Sequence, residues 1–371
     1  MAKSYNNMWS RMVNPDNIEA AIHSAAKGKM RKREVREALN NVEATILRVK
    51  EKLEKDEWHP PSLRKGYEVR DGIARKRRML VKPDFEEQIV HHLLVDYVLS
   101  PIFMPSFYEW TCGSIPGRGQ ESMAKHVLKK VRKCGRALKW AAVLDIKKCF
   151  ESVDIEAIYK AIERRVRDKK VLHVVRLILD ANRVRLPDGT DRVGGVPIGL
   201  YTSPWFINIV LSRMDHEVKD KIVLYVRYID DMLLMHDNKR ELKKCILDIV
   251  ERIGSMGMQL KKTKAVFRFG EKGQHKIRFT GFHLTHERLS VRDRVFVKAV
   301  RTGTRMRRKI KAKRRITAHE AERLISYGGR FRAFGSYAAF PKNVLKGINF
   351  ALMRRKVSAR DKLRSKKGAK K

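Results

Sequence analysis

The stretch Tyr225–Met235, YVRYIDDMLLM, restricts what this chain can fold into more than any other. Two adjacent carboxylates, Asp230 and Asp231, stand between two runs of large apolar residues. Each run reads as a buried strand, so the pattern is strand, tight turn, strand. Adjacent carboxylates repel, and desolvating them without a partner is costly. A surface Asp-Asp turn avoids that cost by staying in water and binding nothing, and Asp is common in turns. Here Tyr225-Val226 and Met232–Met235 pack both arms inward, so the turn is presented from a rigid core. Divalent cations are then a natural compensation, and Mg2+ takes carboxylate oxygen together with substrate phosphate. A two-metal clamp for phosphoryl transfer needs one more acid from elsewhere in the chain. Asp145 is the candidate: it ends the short apolar strand predicted in ALKWAAVLDIKKCF. Two strands side by side would bring it to Asp230 and Asp231.

Charge indicates the partner. The 371 residues carry 84 Lys+Arg against 41 Asp+Glu, a net charge of +43 spread over nearly the whole chain. That excess points to a polyanion, nucleic acid first. A ribosomal or histone-like binding protein and a membrane-surface protein are the blander readings. With 43% hydrophobic residues the chain can build a substantial core in two or three lobes. Cys112, Cys134, Cys149 and Cys245 form no CxxC pair and read as reduced thiols, not as a disulfide frame or zinc site. The opening MAKSYNNMWSRMVN lacks an apolar signal core, and no apolar run is read as long enough to cross a bilayer. A soluble, cytoplasmic protein with no membrane partner is expected.

Periodicity divides the chain into four regions. Residues 1–60 form a basic helical extension, stopped by the paired prolines of WHPPS. Residues 61–290 hold the motifs. They open with a basic β-hairpin in GYEVRDGIARKRRMLVKP and a helix from 84 to 103 capped by Asp84. The doublet His91-His92 on that helix has no metal spacing and reads as helix surface or satisfied core. Helices follow at 155–168 and 170–182, then the turn LPDGTD, and then a Gly/Pro loop running into a helix in GGVPIGLYTSPWFINIVLSRMDHEV. After the Asp-Asp hairpin come a helix at 238–255 and short strands around IRFTGFHLT. Residues 291–355 read as basic and helical, and 356–371 as a basic disordered tail.

YIDD between apolar strands resembles the YxDD box of reverse transcriptases, and an ordered series of motifs over roughly residues 60–290 resembles the same family. The resemblance implies an α+β right-hand polymerase fold with fingers, a palm built on an antiparallel sheet, and a helical thumb from about residue 291. It implies RNA-directed DNA polymerase activity, with Asp145, Asp230 and Asp231 and the main chain at Ile146 holding two Mg2+ ions, Mn2+ able to substitute. Phe150, five residues after Asp145, resembles the family's aromatic steric gate. The loop and helix 194–211 resemble the second palm motif, which places Gly199 and Ser203 at the nucleotide. Lys262, in QLKKTKAVF, corresponds to a lysine near the leaving pyrophosphate, an electrostatic helper or general acid. RFTGFHL resembles the primer grip, assigning Phe279, Thr280, Gly281 and Phe282 to the primer 3′ end. The basic hairpin resembles the fingers, with Arg75, Arg78 and Lys82 on the triphosphate or template backbone. Arg118 lies in a loop found near nucleotide in this family, and with no Gly-Lys-Ser/Thr after it the loop is not a P-loop.

No protease, integrase, RNase H or endonuclease-like segment is visible, which directs the resemblance to stand-alone bacterial or phage enzymes. The diversity-generating retroelement group, whose box commonly reads Ile-Gly-x-x-x-Ser-Gln, is the most similar; here Ile198-Gly199 and Ser203 match and Pro204 stands in place of Gln. Retron and defence-associated reverse transcriptases are the rivals. All three groups copy a cognate structured RNA, so the implied partners are template RNA, the RNA–DNA hybrid and deoxynucleoside triphosphates. The first group adds a small basic accessory protein and error-prone copying. A non-catalytic RNA-binding protein with a polymerase-like fold is the alternative of a different class, disfavoured because all three acids are present. An RNA-dependent RNA polymerase is disfavoured by Phe150 and by the absence of a Gly-Asp-Asp form. A ring beneath the sugar would clash with a 2′-hydroxyl, so Phe150→Ala is expected to relax discrimination against ribonucleotides in competitive primer extension. Unchanged selectivity would reject the gate role.

Overall fold

Five of the helices begin where the sequence supplies a side-chain oxygen for the unpaired N–H groups of the first turn. Asn14 accepts from Asp16 N and Asn17 N, Asp84 from Glu87 N, Asp154 from Glu156 N, Asp168 from Lys170 N and Val171 N, and Asn238 from Arg240 N. In the computed structural model the helices are α1 (Trp9–Met12), α2 (Pro15–Ala26), α3 (Arg33–Asn40), α4 (Val42–Glu54), α5 (Phe85–Leu94), α6 (Ser100–Phe103), α7 (Gln120–Cys134), α8 (Cys149–Ser152), α9 (Ile155–Glu163), α10 (Lys169–Asp180), α11 (Ser203–Lys219), α12 (Lys239–Gly254) and α13 (Asp293–Lys311). The strands are β1 (Leu63–Asp71), β2 (Lys76–Val81), β3 (Thr111–Cys112), β4 (Trp140–Asp145), β5 (Arg183–Arg185), β6 (Asp191–Arg192), β7 (Leu224–Tyr228), β8 (Asp231–His236), β9 (Phe267–Arg268), β10 (Ile277–Phe279), β11 (Phe282–Leu284) and β12 (Leu289–Val291). The described residues are 3–30, 32–71, 76–261, 266–270, 276–286, 289–291, 293–312, 314, 316–317 and 320–321. Arg75, Lys262 and residues 322–371, which include the expected tail, lie outside them.

The chain divides into two compact units that alternate in sequence: Met1–Gly119 with Ala142–Val266, and Gln120–Ala141 with Phe267–Lys371. The first unit contains two sheets. In one, β1 and β2 form the expected antiparallel hairpin, running from Gly66↔Val81 to Asp71↔Lys76. Strand β5 joins β1 in parallel, Leu63 opposite Arg183, and pairs with β6 across the LPDGTD turn, giving the order β2-β1-β5-β6. In the other, β3, β7, β8 and β4 lie in that order. The β7–β8 pair is antiparallel, but β3 joins β7 in parallel, with Thr111 opposite Arg227. The palm sheet is thus antiparallel at its centre with one parallel edge. Helix α11 packs on β7 and β3, and α12 packs on β8.

In the second unit, β9 pairs with Trp140 and Ala141 at the start of β4. The same unit holds α7, α13 and the antiparallel sheet β10-β11-β12. The β10–β11 hairpin turns through Thr280 and Gly281, both at positive φ, and stacks Phe279 edge-on against Phe282 with centroids 5.9 Å apart.

One expectation is corrected here. The helical stretch Phe85–Ser106 is 22 residues, long and apolar enough to cross a membrane by length and composition. Its residues Ile89, Val90, Leu93 and Leu94 are buried, and α5 packs on α2, so the run serves as a core helix of the first unit.

Within that core His91 is fully buried, bonded to the Glu87 carboxylate and the Thr202 hydroxyl. Glu87 also meets the buried Arg64, whose Nε donates to the Ala181 carbonyl. His92 instead stacks on Tyr201, centroids 3.9 Å apart, and meets the Asp96 carboxylate. Burial pulls the His91 pKa below its ordinary value of 6.5, outweighing the opposing bond to Glu87. Burial pushes Glu87 upward, but its bonds to His91 and Arg64 prevail and hold it below the usual carboxylate range. As pH falls through about 6.5 the unfolded chain takes up the His91 proton before the folded chain does, so stability is present above that pH and lost below it. The melting temperature is therefore expected to drop between pH 7.5 and 5.5, and His91→Gln to flatten that part of the profile. An identical slope in the variant would contradict the assignment.

Candidate active site

The register Tyr228↔Asp231 leaves Ile229 and Asp230 as a two-residue turn between β7 and β8. Such turns require positive φ and favour Asn or Gly. Ile229 adopts φ +57, a genuine outlier for a β-branched residue. A left-handed conformation of this kind costs about 1–2 kcal/mol, so the turn must be held by its surroundings. Ile229 N donates to the Cys112 carbonyl at 3.1 Å, and Arg227 Nη1 donates to the Ile229 carbonyl at 2.8 Å. Below the turn, a Cβ placed on Gly113 would lie 2.7 Å from Ile229 Cγ1, so only glycine leaves the isoleucine its seat.

Arg227 and Asp215 are both fully buried. Arg227 donates from Nε and Nη2 to the two Asp215 oxygens at 2.7 and 2.6 Å, a bidentate pair. Tyr225 and Thr111 hydroxyls donate to the same carboxylate at 2.7 and 2.6 Å. Arg227 Nη1 also reaches Asn208 Oδ1, while Asn208 Nδ2 donates to the Gly113 carbonyl. Burial alone would disfavour the guanidinium charge; the Asp215 carboxylate more than reverses that and keeps it protonated.

Asp145 ends β4, and the next residue links the strand to the turn: Ile146 N donates to the Asp230 carbonyl at 3.2 Å. On the other side Lys261 N donates to the Asp145 carbonyl and Lys147 N to the Gln259 carbonyl, each at 2.8 Å. The strand end is thus fixed from both flanks. The buried Cys149 thiol registers the result: its pKa is raised by burial first and then by Asp230, with Asp145 adding and Arg227 opposing. Both carboxylates therefore act on one point. Asp145, Asp230 and Asp231 are half-buried, and Asp145 Oδ2 lies 3.2 Å from Lys261 Nζ. Among the described residues no three His, Cys, Asp or Glu side chains make a group that could hold a metal ion unaided. All-oxygen donors on two joined strand ends still suit Mg2+, which keeps several waters and completes its shell with substrate phosphate. Lys261 meanwhile supplies the compensating charge. The Ile146 side chain is buried and has no donor atom, so its main-chain carbonyl is what it could offer a metal ion.

The other sequence-predicted residues fall in different settings. Phe150 is half-buried in α8, and its carbonyl accepts from Val196 N at 2.6 Å. Gly195, at φ +61, makes this approach possible because a methyl there would collide with the Phe150 and Glu151 backbone. Gly199 is exposed on one side and on the other meets the Val81 carbonyl so closely, at φ +120, that no Cβ fits. Ser203 requires a correction: it is buried, and its hydroxyl donates to the Pro197 carbonyl at 2.6 Å, tying the loop to α11 instead of facing a nucleotide. Arg78 and Lys82 are exposed on β2 and just after it. Arg118 uses Nη1 on the Tyr108 carbonyl. The primer-grip residues Phe279, Thr280, Gly281 and Phe282 belong to the second unit. Sequence reasoning passed over Arg227, Asp215, Asn208 and Lys261. The available signal was one base in the apolar run YVRY and one acid in the apolar helix INIVLSRMDHEV, a pair of opposite charges at buried positions.

The family model described as reverse transcriptase (RNA-dependent DNA polymerase) matches residues 68–284. The group II intron-encoded protein LtrA of Lactococcus lactis subsp. cremoris is 24% identical over 230 residues, 62% of this chain and 37% of that protein. The mitochondrial nuclear intron maturase 1 of Arabidopsis thaliana is 25% identical over 114 residues, 31% of this chain and 15% of that protein. The chain thus matches well under half the length of these relatives. Among solved structures, apo telomerase from Candida tropicalis, truncated from the C-terminal domain, aligns with a TM-score of 0.45 and 17% identity over 60% of this chain and 53% of that one.

Proposed function

The chain belongs to the reverse transcriptase family, and from that premise we propose that it is an RNA-directed DNA polymerase copying a cognate structured RNA into cDNA by two-metal nucleotidyl transfer. The observation that carries the reading is the Ile146 N to Asp230 carbonyl bond, which joins the strand end bearing Asp145 to the turn bearing Asp230 and Asp231. Asp145, Asp230, Asp231 and the Ile146 main chain would hold two Mg2+ ions, Mn2+ able to substitute, which supply Lewis-acid polarisation of phosphoryl oxygens. The protein's own residues do the rest. Lys261, paired with the Asp145 carboxylate, would supply positive charge beside the phosphates, next in sequence to the expected Lys262. Phe150, seated against the Gly195 loop, excludes a 2′-hydroxyl. Arg78 and Lys82 hold the triphosphate or the template backbone from the exposed hairpin, together with the expected Arg75. The Thr280-Gly281 turn between Phe279 and Phe282 positions the primer end.

The Ile198-Gly199 and Ser203 box supports a place in the diversity-generating retroelement group, with a small basic accessory protein as partner; a retron or defence enzyme is the alternative. Primer extension on poly(rA)/oligo(dT) with Mg2+ tests the activity. Asp145→Asn, Asp230→Asn and Asp231→Asn should each lower incorporation by at least ~100-fold, beyond the effect usual for residues that merely support a metal ligand, while RNA binding is retained. A wild type that incorporates nothing on any template, cognate RNA included, would overturn the proposal.

A further inference from the structure

The Asp215–Arg227 pair buries two charges completely and gives neither to solvent or to the reacting face. Such a pair is weak support for stability, because a well-packed apolar replacement is often as stable or more so. Its geometry indicates a different use. We propose that Asp215 and Arg227 are positioning residues that hold the catalytic turn in its strained backbone, so that Asp230 stays joined to the Asp145 strand end. This inference rests on the reading of the site as a polymerase centre.

Three observations carry it. The residue needing support is Ile229, a β-branched side chain at φ +57, where Asn or Gly would need none. Arg227 Nη1 donates directly to its carbonyl, so the support reaches the strained peptide itself. The guanidinium is in turn immobilised: Asp215 takes Nε and Nη2, and Tyr225 and Thr111 fix Asp215 by bonding the same two oxygens. Asn208 closes the frame by bonding both Arg227 and the Gly113 carbonyl, and Gly113 is the floor under the Ile229 side chain. Helix α11, strand β3 and strand β7 thereby converge on one peptide. A planar five-donor fork is required; a lysine ammonium can keep the charge beside Asp215 but cannot also reach Asn208 and the Ile229 carbonyl in that geometry.

The test uses the full chain and three proteins: wild type, Arg227→Lys, and Arg227→Lys combined with Ile229→Asn. Steady-state primer extension, Mg2+ titration of the rate and melting temperature are measured on each. Arg227→Lys is expected to lower kcat by about 100-fold, the scale of a small misplacement at a reacting centre. The Kd for primer–template should stay unchanged, and the half-saturating Mg2+ concentration should rise. Asn adopts positive φ readily, so the double variant should regain at least ~10-fold of the lost kcat without regaining melting temperature. A purely structural ion pair would not be rescued in this way. The inference is overturned if Arg227→Lys keeps the wild-type kcat, or if the double variant is no more active per folded molecule than the single one. Should Arg227→Lys not fold, Asn208→Asp with and without Ile229→Asn carries the same comparison, since it keeps an acceptor for Arg227 and loses the donor to Gly113. A wild type with no activity would fail the polymerase reading and this inference together; an active wild type with an unrescued variant would fail this inference alone.

Discussion

The hydrogen bond from Ile146 N to the Asp230 carbonyl, 3.2 Å long, is the contact on which the candidate site depends. It joins β4 to the β7–β8 turn, and the Asp145 and Asp230 carboxylates both act on one buried thiol. Like charges at that proximity oppose folding. Compensation comes from Lys261 at the Asp145 carboxylate and from a chain of net charge +43. A site of carboxylates held by main-chain bonds, with Lys261 at the Asp145 carboxylate, suits cations that arrive with substrate.

The same first unit ties the β1–β2 hairpin to the loop before α11 by backbone proximity. Val81 N donates to the Ile198 carbonyl, Gly199 lies against the Val81 carbonyl, and Val81, Val184 and Leu200 share one small apolar cluster. One loop, 194–200, therefore touches both β2 and, through Gly195 and Val196, the Phe150 backbone. Gly195 and Gly199 are explained by these two close approaches. In the proposed mechanism this loop would couple the residues that hold the triphosphate to the residue that inspects its sugar.

Much of this was legible in the sequence because it rests on local chemistry. The apolar arms around Asp230-Asp231 specified the β7–β8 hairpin, the short apolar run specified the strand ending at Asp145, and Asp84 marked the start of α5. What escaped depends on tertiary context. A lone arginine in YVRY carries no sign that it will be buried, and Asp215 lies twelve residues earlier on a helix, so their pairing needs the fold. Lys261 and Lys262 are indistinguishable in a run of lysines until strand geometry turns the first toward Asp145. Ser203 carried the right motif position but is buried under Pro197. The short strands β5 and β6 read only as flanks of a turn, since their stability comes from pairing with β1, a partner distant in sequence.

Anomalous scattering from Mn2+ in crystals of the protein with primer–template and a non-hydrolysable deoxynucleotide tests the central claim most directly. The account predicts Mn2+ density bounded by the Asp145 and Asp230 carboxylates and the Ile146 main chain, with Lys261 displaced from Asp145. Mn2+ density elsewhere, with Lys261 still paired to Asp145, would contradict it.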